Sequence, residues 1–125
     1  MRLLLDTHVF LWAVADSRKL GAAARKTMLA ASEVGVSAAS IWEIAIKARL
    51  GKIEGDPLVM ADAIERSGFS ELAVSARHAA TVARLPLHHA DPFDRLLVAQ
   101  AISEPLILLT ADSMLTRYSE LVRRA

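Results

Sequence analysis

Four carboxylates, with a fifth beside one of them, stand where a charge is unexpected or where several could meet. Asp6 follows three consecutive leucines in RLLLDTHVFLW, Glu43 lies inside SAASIWEIAIK, Asp91 and Asp94 belong to HHADPFDRLLVAQA, and Asp112 closes LILLTAD. Each has a modest local use. Asp6 can cap the helix that starts near Thr7, and Glu43 can pair with Lys47 one turn on, worth ~0.3–0.5 kcal/mol at an exposed position. With Pro92 as first helical residue, Asp91 becomes the N-cap and Asp94 an acid favoured by the helix dipole; Asp112 or Thr110 can cap a short C-terminal helix. Jointly the acids suggest a different chemistry. Two unit charges ~6 Å apart repel by roughly 3 kcal/mol at an effective dielectric near 20. A group of carboxylates brought together must raise some of its pKa values or take up a divalent cation. The chain has no cysteine, so disulfides, thiolate catalysis and Cys-ligated zinc are excluded. An oxygen-only site suits Mg²⁺ or Mn²⁺.

The elements decide whether these residues meet. Leu3 to Leu5, Val34 to Val36, Leu72 to Val74 and Leu106 to Leu109 are short apolar runs of the kind buried on both faces of a parallel sheet. Between them lie helix formers at helical length: Leu20 to Ala31, Ala38 to Leu50, Leu58 to Ser67, Ala76 to Leu85 and Pro92 to Ile102. The alternation predicts an α/β fold. In such a sheet the residues just past the strand ends share one edge, near which ligands bind. Asp6, Glu43 and Asp112 follow three strand ends. Asp94 joins them if its helix runs antiparallel to the strand it precedes, because that helix then starts at the same edge.

Composition limits the rest. At 125 residues, one domain spanning 1–125 is expected. Fifteen Lys and Arg against fourteen Asp and Glu leave a net charge of +1, so polyanion contacts must come from local patches such as Arg2, Lys47, Arg49, Lys52, Arg95 and Arg117. The longest stretches free of charge are nine residues, too short to span a bilayer, and Asp6 interrupts the first apolar run too early for a signal peptide. A soluble cytoplasmic protein is expected. Its 54% hydrophobic content slightly exceeds the ~45–50% of typical soluble domains, which hints at a protein partner.

The strings LLLDTHVFLW, SAASIWEIAIKARLGK, LPLHHADPFDRLLVAQA and LLTAD, in this order and at this length, resemble the PIN-domain family, specifically the VapC-type toxins of bacterial toxin–antitoxin pairs. The likeness runs from Leu3 to about Tyr118. It implies a metal-dependent endoribonuclease built on a central parallel sheet of four or five strands flanked by helices, using Mg²⁺ or Mn²⁺, with Asp6, Glu43, Asp94 and Asp112 as the acidic site. Thr110 resembles the accessory hydroxyl residue near the metal. Asp6, Asp94 and Asp112 are then metal ligands, direct or through water, while Glu43 binds a second metal or orients the attacking water. The resemblance also implies a homodimer, an RNA substrate and a small antitoxin with a DNA-binding domain. The segment around Ile41, Trp42, Ile44 and Ile46 offers a partner groove, with Trp42 and Ile46 as its residues; the plainer reading makes Trp42 core. The closing RYSELVRRA lacks a clearly apolar final strand, so a fifth strand near Leu121 and Val122 is not expected with the others. His8, His88 and His89 flank the acids and read as surface groups before ligands.

Two other classes place comparable residues. A receiver or haloacid-dehalogenase-like domain also carries an Asp after its first strand, but wants a Lys near a late strand end that LILLTAD lacks, and position 8 is His where the dehalogenase pattern wants an acid. A catalytically silent PIN-like scaffold would bind a partner only. The intact acid set argues against it.

Overall fold

A computed structural model describes residues Met1–Ala125. Five strands, β1 (Arg2–Leu5), β2 (Glu33–Ser37), β3 (Ser70–Leu72), β4 (Ile107–Thr110) and β5 (Val122–Arg124), form one sheet in the order β3-β2-β1-β4-β5 with every pairing parallel. The helices are α1 (Thr7–Val14), α2 (Ala22–Ala30), α3 (Ala38–Arg49), α4 (Pro57–Arg66), α5 (Ala76–Thr81) and α6 (Pro92–Ser103). Short 3-10 turns follow at Val82–Arg84 and Ser113–Arg117.

The leucine run of β1 is explained by its place at the centre of the sheet. Successive side chains of a strand point to opposite faces. Leu3 and Leu5 pack with Val9, Phe10, Ala24, Ile44 and Ile64 beneath α1 to α4, while Leu4 packs with Leu97, Val98, Leu108 and Val122 beneath α6. Both faces are covered, so no polar alternation is left in the sequence. No helix is long and apolar enough to cross a membrane.

The two edge strands depart from the sequence reading. The third strand lies at Ser70–Leu72, two residues earlier than the apolar run Leu72 to Val74, and its Ser70 and Glu71 are exposed. The fifth strand does form, at Val122–Arg124, in register with Leu108 to Thr110. One buried side chain, Val122, is enough to seat it, because an edge strand needs only one neighbour and one covered face. Apolar continuity marks central strands and misses edges. The expected helix from Ala76 to Leu85 is also shorter, with its last turn tightened to 3-10 geometry.

Candidate active site

Asp6 ends β1 and caps α1. Its Oδ1 accepts from Val9 N at 2.8 Å, while Oδ2 accepts from Thr110 Oγ1 at 2.6 Å and Ala111 N at 2.8 Å. Capping and site placement are therefore two uses of one carboxylate. Burial raises its pKa above the ordinary carboxylate value despite these three donors. Thr110 also accepts from Asp112 N at 3.0 Å, so the hydroxyl joins the ends of β1 and β4.

Glu43 sits one turn into α3, which begins directly after β2, and it is buried. Its pairing with Lys47 exists, Nζ to Oε2 at 2.5 Å, though not at an exposed position. Thr7 donates to Oε1 at 2.6 Å, and its oxygen lies 3.0 Å from Ser40 Oγ. Both oxygens of Glu43 are thus engaged. Burial of Lys47 favours the neutral amine, but the Glu43 hydrogen bond and the charges of Glu43, Asp91 and Asp94 outweigh it and raise the ammonium pKa.

Asp91 caps α6 through Phe93 N at 2.8 Å and Asp94 N at 3.1 Å, with Pro92 in the first turn as expected. Since α6 carries the chain back from the C-terminal edge of the sheet, its first turn lies where the strands end. There Asp94 is pushed up to about 7, by burial first and then by the charges of Asp91, Glu43 and Asp6, against the opposing influence of His89. Asp112 caps the following 3-10 turn through Met114 N at 2.9 Å, and its other oxygen lies 2.9 Å from His89 Nε2.

Asp6, Glu43, Asp94 and Asp112 therefore line one cleft of about 450 Å³, with Asp91, Lys47 and His89. Five carboxylates face a single permanent cation, Lys47, in this lining. The donor chemistry fits a hard divalent cation: carboxylate oxygens of Asp94 and Asp112 come within 4.8 Å of each other and of His89 Nε2, and the neighbouring acids add to burial in raising the Asp94 pKa. Asp6 Oδ2 accepts two donors and Oδ1 one, which leaves Oδ1 a lone pair to offer a cation.

The sequence reading ranked His89 no higher than His8 and His88, and it missed Thr7 and Ser40. Of the three histidines, His89 places its ring against the acids. His8 lines the same cleft from an exposed position on α1 without a hydrogen bond to an acid, and His88 stacks edge-on against Tyr118 at 5.0 Å. Trp42 is not core. It is 60% exposed and meets Phe93 edge-to-face at 5.2 Å, and with Ile46 and the C-cap residue Leu50 it forms an apolar row at i, i+4 and i+8 along α3 and its end.

The comparisons with known proteins agree with this architecture. The family profile described as PIN domain matches residues 3–121. Ribonuclease VapC22 of Mycobacterium tuberculosis (strain ATCC 25618 / H37Rv) is 34% identical over 120 residues, covering 90% of this chain and 88% of that protein. VapBC2 from Rickettsia felis, solved bound to a DNA fragment from their promoter, contains a chain similar in fold at TM-score 0.72 and 15% identity, over 100% of this chain and 99% of that one. DNA-bound VapBC from Salmonella typhimurium gives TM-score 0.69 at 15% identity, over 100% and 97%. By profile and by sequence, the chain belongs to the PIN-domain family, with a VapC protein among its relatives.

Proposed function

We propose that residues 1–125 act as a single Mg²⁺- or Mn²⁺-dependent endoribonuclease domain, a VapC-type toxin that cleaves cellular RNA in the cytoplasm. The observation carrying this reading is the convergence of Asp6, Glu43, Asp94 and Asp112 on one cleft with so little positive charge that a phosphate backbone would be repelled from it. Asp6, Asp94 and Asp112 would hold the cation. A bound divalent ion supplies a nucleophile ionised at neutral pH and relieves charge on the scissile phosphate. Asp6, held by three donors, keeps its carboxylate in one orientation, and Thr110 transmits that placement to Asp112. Glu43, held by Thr7 at one oxygen and by Lys47 at the other, would orient the attacking water or hold a second ion. Lys47 is the lining residue able to meet a phosphate oxygen as a fixed cation. Purified protein should cleave single-stranded RNA only with Mg²⁺ or Mn²⁺, and Asp94→Asn should abolish cleavage with its circular dichroism unchanged. Cleavage undiminished by chelation or by the substitution would reject the assignment.

A similar fold in a toxin–antitoxin complex from Klebsiella pneumoniae and in the DNA-bound VapBC structures supports a cognate antitoxin with a DNA-binding domain as the restraining partner, and the reading includes a homodimer of the toxin. The row Trp42, Ile46 and Leu50 offers an amphipathic segment of the antitoxin an apolar seat beside the acids. An arginine on that segment could then pair with the carboxylates. Trp42→Ala should stay folded and active while losing antitoxin inhibition. Unchanged antitoxin affinity would remove the groove and leave the nuclease reading standing.

A further inference from the structure

His89 is held at both its backbone and its ring. The Tyr118 phenol oxygen lies 2.9 Å from His89 N and 3.2 Å from His88 N, and Arg95 on α6 donates to it at 3.1 Å. Arg95 also donates to Pro86 O at 3.0 Å and Val82 O at 3.2 Å, tying the whole segment before α6 to that helix. Within the ring, Asp91 N donates to Nδ1 at 3.0 Å. A nitrogen that accepts a backbone N–H cannot carry its own hydrogen along the same direction, so the neutral imidazole bears its proton on Nε2. That nitrogen is 2.9 Å from Asp112 Oδ2 and 3.9 Å from Asp94 Oδ2.

We propose that His89 is a positioning residue for the metal site: its Nε2–H donates to Asp112 and fixes the carboxylate that binds the cation, while Asp91 N–H fixes the tautomer. This rests on the metal-dependent reading above. The competing arrangement uses His89 as a third ligand with Asp94 and Asp112. It would require a lone pair on Nε2 and therefore a hydrogen on Nδ1, directed at the hydrogen of Asp91 N. The carboxylate side of the ring consequently meets a donor. Hydrogen-bond partners one layer behind a metal typically change its affinity about 10–100-fold when removed. Tyr118 and Arg95 extend that layer outward, placing part of the site's precision in residues that never touch the cleft.

The test is calorimetric titration of Mg²⁺ into the full chain, with RNA cleavage measured in parallel. His89→Ala should weaken Mg²⁺ about 10–100-fold, and Tyr118→Phe should weaken it less, since the ring of His89 remains. Long-range ¹H–¹⁵N spectra of the wild type should show His89 protonated at Nε2 both without metal and at saturating Mg²⁺. A proton on Nδ1, or loss of the Nε2 proton on adding Mg²⁺, makes His89 a ligand and overturns the inference; the spectra decide this even if His89→Ala does not fold. Undiminished Mg²⁺ affinity and cleavage in a folded His89→Ala variant also overturn it, leaving the nuclease reading intact. Wild-type protein that binds no Mg²⁺ and leaves RNA uncut removes the nuclease reading and this inference together.

Discussion

His78 and His89 are built alike and sit in opposite surroundings. Each accepts a backbone N–H at Nδ1, from Ser75 at 3.0 Å for His78 and from Asp91 at 3.0 Å for His89, and each turns Nε2 toward a carboxylate, Glu104 at 2.8 Å and Asp112 at 2.9 Å. His78 is buried between α5 and α6, where it completes a capping box with Ser75 and meets the single acid that ends α6. His89 faces a cleft with five acids. The shared local motif fixes a tautomer in both places. What separates them is the density of charge around the acceptor and the open space beside it. One pairing closes a helix junction; the other is suited to hold a ligand for a cation.

The largest difference should appear on changing the accepting carboxylate of the cleft. Asp112→Asn keeps an oxygen able to accept from His89 or Met114 but removes a charge that the proposed cation would need. Mg²⁺ affinity and RNA cleavage should fall by more than the about 100-fold upper range of an outer-layer loss. The metal-free melting temperature should hold or rise, because one repelling charge is gone. Calorimetry and thermal denaturation read both. Full Mg²⁺ affinity in this variant would remove Asp112 from the ligand set and erase the contrast between the two histidine sites.

These features were unequally legible in the sequence. Asp91, Pro92 and Asp94 write their capping geometry into four consecutive positions, and Asp6, Glu43 and Asp112 are placed by following strands or opening helices. That is short-range information. The edge strands β3 and β5 were hard to see because Glu71, Arg123 and Arg124 face solvent, and a strand with a single neighbour needs few apolar residues. His89 could not be chosen over His88, since the selection is made by Tyr118, 29 residues away in the chain. Thr7 and Ser40 were missed for the same reason: their contact with Glu43 depends on the packing of α1 against α3. Trp42 lies in an apolar helix whose exposed side is set by where Ile44 is buried.

The charge density of the cleft should also be measurable as pH-dependent stability in the absence of metal. Asp94 has a folded pKa of about 7 against 3.8 for the ordinary group, and burial shifts Asp6 in the same direction. A carboxyl whose folded pKa is raised stabilises the fold fully below its unfolded value and loses that contribution as pH rises through the folded one. Each tenfold gain in proton affinity is worth about 1.4 kcal/mol. For Asp94 this bounds the effect near 4 kcal/mol, and partial exposure of the side chain reduces it to roughly 1–3 kcal/mol. Urea denaturation with chelator should therefore show the chain less stable at pH 8 than at pH 5, with Asp94→Asn flattening the difference. Saturating Mg²⁺ should flatten it too, since the cation favours the ionised form. Stability that is equal or greater at pH 8 in the metal-free wild type would mean the acids are not in conflict. The cleft would then resemble the His78 site more closely than its geometry suggests.

The smallest effect is expected from the same chemical change at the other histidine. Glu104→Gln, like Asp112→Asn, replaces a carboxylate with an amide whose oxygen can still accept from Nε2–H. At His78 the acceptor is partly exposed and stands alone, so it has no repulsion to relieve and no cation to hold. His78 is buried, but Glu104 keeps 38% of its side chain in water and the amide retains the hydrogen bond, so the charge alone contributes about 1 kcal/mol. Loss of that charge should shift the unfolding free energy by no more than this, because the Ser75 capping box and the Gln100 contact to His78 at 3.3 Å remain. Mg²⁺ affinity and cleavage should be those of the wild type. A loss of several kcal/mol would show that the single pair at the α5–α6 junction supports the fold more than its exposure implies. A loss of Mg²⁺ affinity would show that α6, which carries Asp94 at one end and Glu104 beyond the other, transmits strain along its length. In either case, carboxylate-to-amide exchange would no longer distinguish the two sites, and surrounding charge could not be what separates a structural histidine from a positioning one.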